Sequence, residues 1–457
     1  MDGFTIPIHS LTLKTFTRVM IIIAIAFFLI FGAFGIALLV PLSTVQPTVS
    51  SSPYSSNVSV SDQVAVASLG QQYMDALFHQ NYAVMWSMLY PQMQVTWANQ
   101  DAFAHYLQMR FENYTLQSFS LGKVSQLSFW INPETMVEYK NVEVMPISLR
   151  LISQLTHEQQ AQLAPQFQQP DQLQQNIPFV VQHVVKQGKD RNDQWFILKG
   201  GPADPEAPIL PPFAPVSRSV PVPILMYHYI SNAPTNDANP VLRQSLSVSP
   251  QHFNQQLDYL KQRGFHSITF NQLMNALYYG VSLPSKPIIL TFDDGYIDGY
   301  TTAYPTLKAH GFSGMFYIIT GKVGWRGQMN WDQLREMLSN GMQMGSHTVH
   351  HVEMGHIYRA SVNLADQELQ LSQNQMQDHL GISIQHFCYP NGDPFKGHNE
   401  SLQQQVVALL AAHGYIDATT DPGPTGIMQQ SLAPFVLLRL RVDGRSSLQE
   451  FMEMVGG

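Results

Sequence analysis

The chain has 457 residues, more than one typical domain needs, and 45% of them are hydrophobic, enough to fill sizeable cores. Charged residues make up only 12% with a formal net charge of -8, which leaves no basic patch for nucleic acid and points to neutral partners. A single cysteine, Cys388, excludes an internal disulfide framework and any cysteine-based zinc site, so a bound metal must draw on histidines and carboxylates.

Residues 19–40 (VMIIIAIAFFLIFGAFGIALLV) form an uncharged apolar run long enough to cross a bilayer as a helix. Lys14 and Arg18 precede it, and the next basic residue is Arg110. By the positive-inside rule, residues 1–18 are expected in the cytoplasm and the rest outside the plasma membrane. A cleaved signal peptide is the competing reading; the run is longer than a usual h-region and no A-x-A-like site follows, which favours a retained single-pass anchor. The Ser/Thr/Pro-rich residues 41–60 read as a spacer.

Ser61 fits an N-cap before a helix on which Val66, Leu69, Tyr73, Ala76 and Leu77 recur at helical spacing, and a second helix is expected after Asp101. Residues 120–131, 135–149, 177–188 and 194–200 are β-branched and aromatic runs between polar turns, the pattern of antiparallel strands. Residues 61–200 thus read as an α+β accessory domain, which resembles the cystatin-like or nuclear transport factor two-like type. The Gln-rich insert 153–176 is expected to be a partly helical excursion or a mobile loop, without chemistry.

A Pro-rich linker, 201–219, precedes a region of different texture over 220–457. Short apolar strand candidates at 224–227, 288–291, 315–319, 343–346, 385–389 and 416–420 alternate with helical patterns. Ser249 as N-cap and Pro250 at the first helical position open one helix, carrying Phe253, Leu257 and Leu260 on one face; Asn330 opens another. Such alternation predicts a parallel α/β sheet or barrel, whose functional residues lie where strands end.

Three strand ends carry polar groups. One delivers Phe292-Asp293-Asp294-Gly295, a carboxylate doublet that can send one oxygen to a metal and keep a second carboxylate as general base; by itself the string would read as a turn. Another delivers Ser346-His347-Thr348-Val349-His350-His351, where His347 and His351 are spaced to converge on one ion if the segment turns helically. Two histidines and a carboxylate leave a position for water, as in a catalytic metal site. His350 lies between them and is read as a bystander. The third end is Cys388-Tyr389-Pro390-Asn391-Gly392, either a plain Pro-Asn-Gly turn or a tight backbone presenting an N–H to an oxyanion. Cys388 itself suits simple packing.

With these motifs in order, residues 220–457 closely resemble the polysaccharide deacetylase family (the NodB-homology domain, carbohydrate esterase family four). The Val222-Pro-Ile-Leu-Met-Tyr-His228, Ala418-Thr-Thr-Asp-Pro-Gly423 and Leu438-Arg-Leu-Arg-Val442 segments look most like its poly-N-acetylglucosamine deacetylase branch. The resemblance implies an irregular NodB-type (β/α) barrel, Asp293 as base, and Asp294, His347 and His351 as ligands of a divalent metal, zinc in the first place, with cobalt, nickel or manganese also accepted. Two departures stand out. Cys388-Tyr-Pro-Asn-Gly392 replaces the usual Arg-Pro-Pro-Tyr-Gly, so the arginine that pairs with the base is missing there and Arg439 is the stand-in. No Leu-x-His follows His413, which leaves His228 as the candidate general acid and a core histidine as its plainer reading. The implied activity is hydrolysis of the N-acetyl groups of an extracytoplasmic polysaccharide, peptidoglycan or a poly-N-acetylglucosamine, with the Asn391 N–H on the oxyanion. O-acetyl ester hydrolysis and a silent glycan-binding cell-wall protein are the alternatives. Tyr296, Tyr300, Trp325 and Tyr389 are candidates to stack on sugar rings.

Overall fold

A computed structural model describes residues 54–55, 58–132, 137–168, 170–184, 194–199, 209–212, 215–420 and 423–456. The expected cytoplasmic segment 1–18, the anchor 19–40, most of the spacer 41–60 and much of the linker 201–219 lie outside the described residues. Among the described residues no helix is long and apolar enough to cross a membrane.

The first part begins with α1 (Val60–Phe78), α2 (Tyr82–Met88) and α3 (Gln100–Arg110), followed by the strands β1 (Tyr114–Leu121), β2 (Ser125–Ile131), β3 (Glu138–Ser153), β4 (Gln172–Val184) and β5 (Gln194–Lys199). The cap of α1 is Ser59, not Ser61: Ser59 Oγ accepts the Asp62 N–H at 3.1 Å. Both serines satisfy the local chemistry of a cap. The long β3 pairs antiparallel with β1 along its second half and β2 along its first, and with β4 on its other edge. Among its described residues, the Gln-rich insert is α-helical at His157–Ala161, with a 3-10 turn at Pro165–Phe167, and its end already belongs to β4. Alternation explains this: Ile177, Phe179 and Val181 enter the core, while Asn176 and Pro178 between them are half-buried and line the cavity on the other face.

The second part is an α/β layer built on a curled, eight-stranded sheet. Its strands are β6 (Ile224–Tyr227), β7 (Pro287–Phe292), β8 (Met315–Ile318), β9 (Gln343–Ser346), β10 (His386–Cys388), β11 (Asp417–Thr419) and β12 (Leu440–Arg441), with a two-residue strand at His266–Ser267 on β7. All seven run parallel in the order β11-β10-β9-β8-β7-β6-β12, and an isolated bridge joins Thr419 of β11 to Leu437, three residues before β12. Strands such as Ile-Leu-Met-Tyr and Pro-Ile-Ile-Leu-Thr-Phe are buried on both faces, which is why they read as continuous apolar runs. The helices α4 (Pro250–Gln262), α5 (Phe270–Tyr279), α6 (Trp331–Ser339), α7 (Val362–Leu380) and α8 (Glu400–Ala412) accompany them. Ser249 and Asn330 are the caps of α4 and α6.

Close packing fixes the strand that precedes the histidine motif. A Cβ on Gly345 would stand 2.5 Å from the Tyr317 ring of β8 and 3.1 Å from the His386 carbonyl of β10. Gly345→Ala is therefore expected to cost about 1–3 kcal/mol of stability in denaturant titration; an unchanged midpoint would show that this layer has slack.

The two parts meet at the end of the parallel sheet where its strands begin. Tyr106 Oη donates to Asn275 Oδ1 at 2.9 Å, the Asn176 N–H donates to Ser383 Oγ at 2.8 Å, and Gln385 bonds the backbone of Ile209. A cavity of about 510 Å³ remains between them, walled by Trp130 and Val180 on one side and Met342 and Ile384 on the other. The strands' C-terminal ends, at the opposite side, carry the motifs singled out above.

Candidate active site

Asp293 and Asp294 follow β7, and their two carboxylates are held in different surroundings. Asp293 is buried and locked to Arg439: Nη1 donates to Oδ1 at 2.8 Å and Nη2 to Oδ2 at 2.9 Å. Arg439 sits one residue before β12, and its guanidinium also donates to the Thr420 carbonyl, Thr291 Oγ1 and Cys388 Sγ. Planar fork-to-carboxylate geometry of this kind is the strong form of an ion pair. Burial pushes the Asp293 carboxyl up, but the Arg439 charge and hydrogen bonds outweigh it, with His228 and His347 adding, so the group is held below the ordinary carboxylate range.

Asp294 turns instead toward the histidines. His347 Nε2 lies 3.5 Å and His351 Nε2 3.3 Å from the same oxygen, Asp294 Oδ1, which is buried and has no hydrogen-bond partner. His347 Nδ1 donates to the Cys388 carbonyl at 2.8 Å, which commits its Nε2 to the site. Burial and the neighbouring His347 draw His351 down to about 4, leaving it a neutral imidazole at pH 7. The orphaned oxygen, the two converging Nε2 atoms and ligand atoms within 4.8 Å of one another fit a divalent ion. Asp293, His347 and Cys388 also cluster within that distance, but Arg439 already occupies Asp293 and Cys388, so that set reads as an arginine network.

The histidines do not converge through a helical turn as their spacing suggested. Thr348 and His351 are left-handed, with φ of 63° and 60°, and the segment between β9 and the next helix is a loop. Asp294 (φ 75°) and Asn391 (φ 52°) share this conformation. Of seven such non-glycine residues among the described ones, these four lie in the loops just named, so the unusual backbone is concentrated at the site.

His228 follows β6 and is half-buried, and its charge helps to lower both carboxyls of the doublet. Asn391 is exposed in the Pro390–Gly392 turn after β10. His350 takes no part in the triad and pairs with Glu368 instead. Among the aromatic candidates, Tyr389 is buried, Tyr300 donates to Glu336 at 2.7 Å, and Trp325 is 63% exposed. Tyr296 stacks on Tyr229 with centroids 3.7 Å apart, and the Arg243 guanidinium covers the other ring. Arg243 and Glu368 carry no local sequence signal, since each reaches this region from a helix that holds none of the motifs.

A curled parallel sheet brings a carboxylate doublet and two histidines together at its strand mouths, an arrangement that could hold a metal ion. The chain belongs to the polysaccharide deacetylase family. The profile of that family, described as polysaccharide deacetylase, matches residues 280–415. The Bacillus subtilis (strain 168) protein YxkH, which carries the polysaccharide deacetylase name, is 32% identical over 224 residues, covering 48% of this chain and 71% of YxkH. The poly-beta-1,6-N-acetyl-D-glucosamine N-deacetylase of Staphylococcus aureus (strain MSSA476) is 28% identical over 162 residues, 33% of this chain and 55% of that enzyme. Among solved structures, the Streptococcus pyogenes deacetylase PplD aligns over 53% of this chain and 100% of its own, with 27% identity and a TM-score of 0.45.

Proposed function

We propose that this chain hydrolyses the N-acetyl groups of a glucosamine-containing polysaccharide, peptidoglycan or a poly-N-acetylglucosamine, outside the cell. The observation that carries the reading is the division of the doublet, with Asp293 locked to Arg439 and Asp294 aimed at two imidazoles. Asp294, His347 and His351 would hold a divalent ion, zinc by preference for a mixed nitrogen and oxygen set. Such an ion supplies Lewis acidity toward the acetamide oxygen and lowers the pKa of water.

Asp293 takes the proton of the attacking water, oriented for this by Arg439. The Asn391 N–H faces the oxyanion that forms as water oxygen adds to the acetyl carbon. His228 gives its proton to the sugar nitrogen as the carbon–nitrogen bond breaks, so that acetate and a free amine leave. The apolar run 19–40 supports a single-pass anchor in the plasma membrane with a cytoplasmic N-terminus. Residues 61–200 are assigned to a cystatin-like or nuclear transport factor two-like accessory domain and 220–457 to the catalytic domain.

Acetate release by the full chain from N-acetylglucosamine oligomers, poly-beta-1,6-N-acetylglucosamine and peptidoglycan tests the reading. Release from at least one of these is expected, and dialysis against a chelator should abolish it until zinc is restored. Release from acetylated xylan alone would make the protein an O-acetyl esterase. Stoichiometric metal without acetate from any of them would overturn catalysis on these glycans.

A further inference from the structure

The two candidate histidine ligands stand on a loop with no regular structure to fix it, and the left-handed Thr348 and His351 are populated only if surrounding contacts enforce them. Those contacts come from two sides. Toward the sheet, the carbonyls of Thr348 and Val349 accept the N–H groups of Thr320 at 3.1 Å and Gly321 at 3.0 Å. Any side chain on Gly321 would stand 2.6 Å from the Val349 carbonyl oxygen, so this approach is as close as the backbone allows. On the other side stands α7. Glu368 Oε2 accepts the N–H groups of Val349 at 2.9 Å and His350 at 3.0 Å, and Oε1 accepts the His350 ring Nδ1–H at 2.6 Å. One turn further along the same helix, Ser372 Oγ meets Ser346 Oγ at 2.8 Å. The two central peptide groups of the motif, Thr348–Val349 and Val349–His350, are thereby each held from both sides.

We propose that Glu368 is a positioning residue for the metal site, its carboxylate holding the 346–351 loop in the form that aims both Nε2 atoms at Asp294. The inference rests on the metal reading given above. Two N–H groups of one tight loop converge on a single oxygen, which calls for an acceptor with two lone pairs, and an ionised carboxylate makes such bonds roughly twice as strong as a neutral group does. The Glu368 side chain is 12% exposed, so water has little room to replace it, whereas the His350 ring is 70% exposed and covers the carboxylate from outside. Residues that orient ligands in this way, without touching the ion, commonly govern its affinity.

Cobalt titration of the metal-free full chain, followed by visible absorption, tests the proposal. Glu368→Ala is expected to weaken cobalt binding about 10–100-fold and to change the shape and intensity of the absorption band. Glu368→Gln keeps an oxygen for the two N–H groups and recovers most of the affinity. His350→Gln loses only the exposed ring contact and stays within about threefold of the native chain. Amide hydrogen exchange at Val349 and His350 in the metal-free chain should accelerate in Glu368→Ala, while the global unfolding midpoint moves little. Native affinity and a native spectrum in Glu368→Ala would overturn the proposal, as would a loss of affinity only in step with global unfolding. A native chain that takes up no cobalt, with exchange at Val349 and His350 still governed by Glu368, would locate the failure in the metal reading and sink the positioning role with it.

Discussion

Asp293→Asn is expected to lower acetate release by about 10²–10⁴-fold, the usual worth of a general base, with bound metal unchanged. Asparagine has nearly the shape of aspartate but cannot take a proton, and position 293 supplies none of the three groups that converge on the ion site. The native carboxylate is buried and pinned through both oxygens by Arg439, so its geometry needs no reorganisation before it acts. Acetate release by the variant, measured beside metal content by atomic absorption, separates the two roles within the doublet. Native turnover in the variant would remove Asp293 from the chemistry; loss of metal together with activity would mean that the two carboxylates are not divided as described.

Arg439→Leu should be the more damaging change for the fold. Leucine leaves a buried carboxylate without its counter-charge, and breaking a buried pair from one side costs about 3–5 kcal/mol. The leucine also abandons the Thr420 carbonyl and Thr291 Oγ1, which now meet the guanidinium at 3.1 Å and 3.2 Å. Arg439→Lys keeps the charge without the fork and is expected to fall between leucine and the native residue. Denaturant unfolding of the metal-free proteins reads this directly. Equal stability for arginine and leucine would mean that water reaches Asp293 in solution and that the pair contributes nothing.

Much of the second half was legible because its signals are local. Strands 224–227 and 343–346 stand in the structure where the residues suggested, since short apolar runs bounded by polar or glycine residues have few other ways to be buried. Ser249-Pro250 and Asn330 read as caps because cap chemistry is complete within four residues. The first helix begins two residues before the position its sequence suggests, because Ser59 and Ser61 offer the same hydroxyl and only packing of the helix decides between them. Inside the site, the doublet and the two histidines are visible as strings, whereas their geometry is not. His347 and His351 approach through left-handed residues, a shape that no periodicity reports. Arg439 could be named as the partner of the base only through the family resemblance, because the chain gives no local hint of a contact spanning 146 positions. Glu368 is one more polar residue on an amphipathic helix until the loop it grips is seen.

Asp294, Thr348, His351 and Asn391 hold backbone conformations that residues with side chains visit at a cost of order 1–3 kcal/mol each. That cost is met when the chain folds, by the sheet and the helices that grip the loops, and not when an ion or a sugar arrives. The site is in this sense preorganised: binding free energy need not be drawn down to order the loops, and the penalty appears instead as lower global stability. Substitutions that relax these four positions, glycine at Thr348 for instance, would then favour the folded chain while loosening what it was folded to hold.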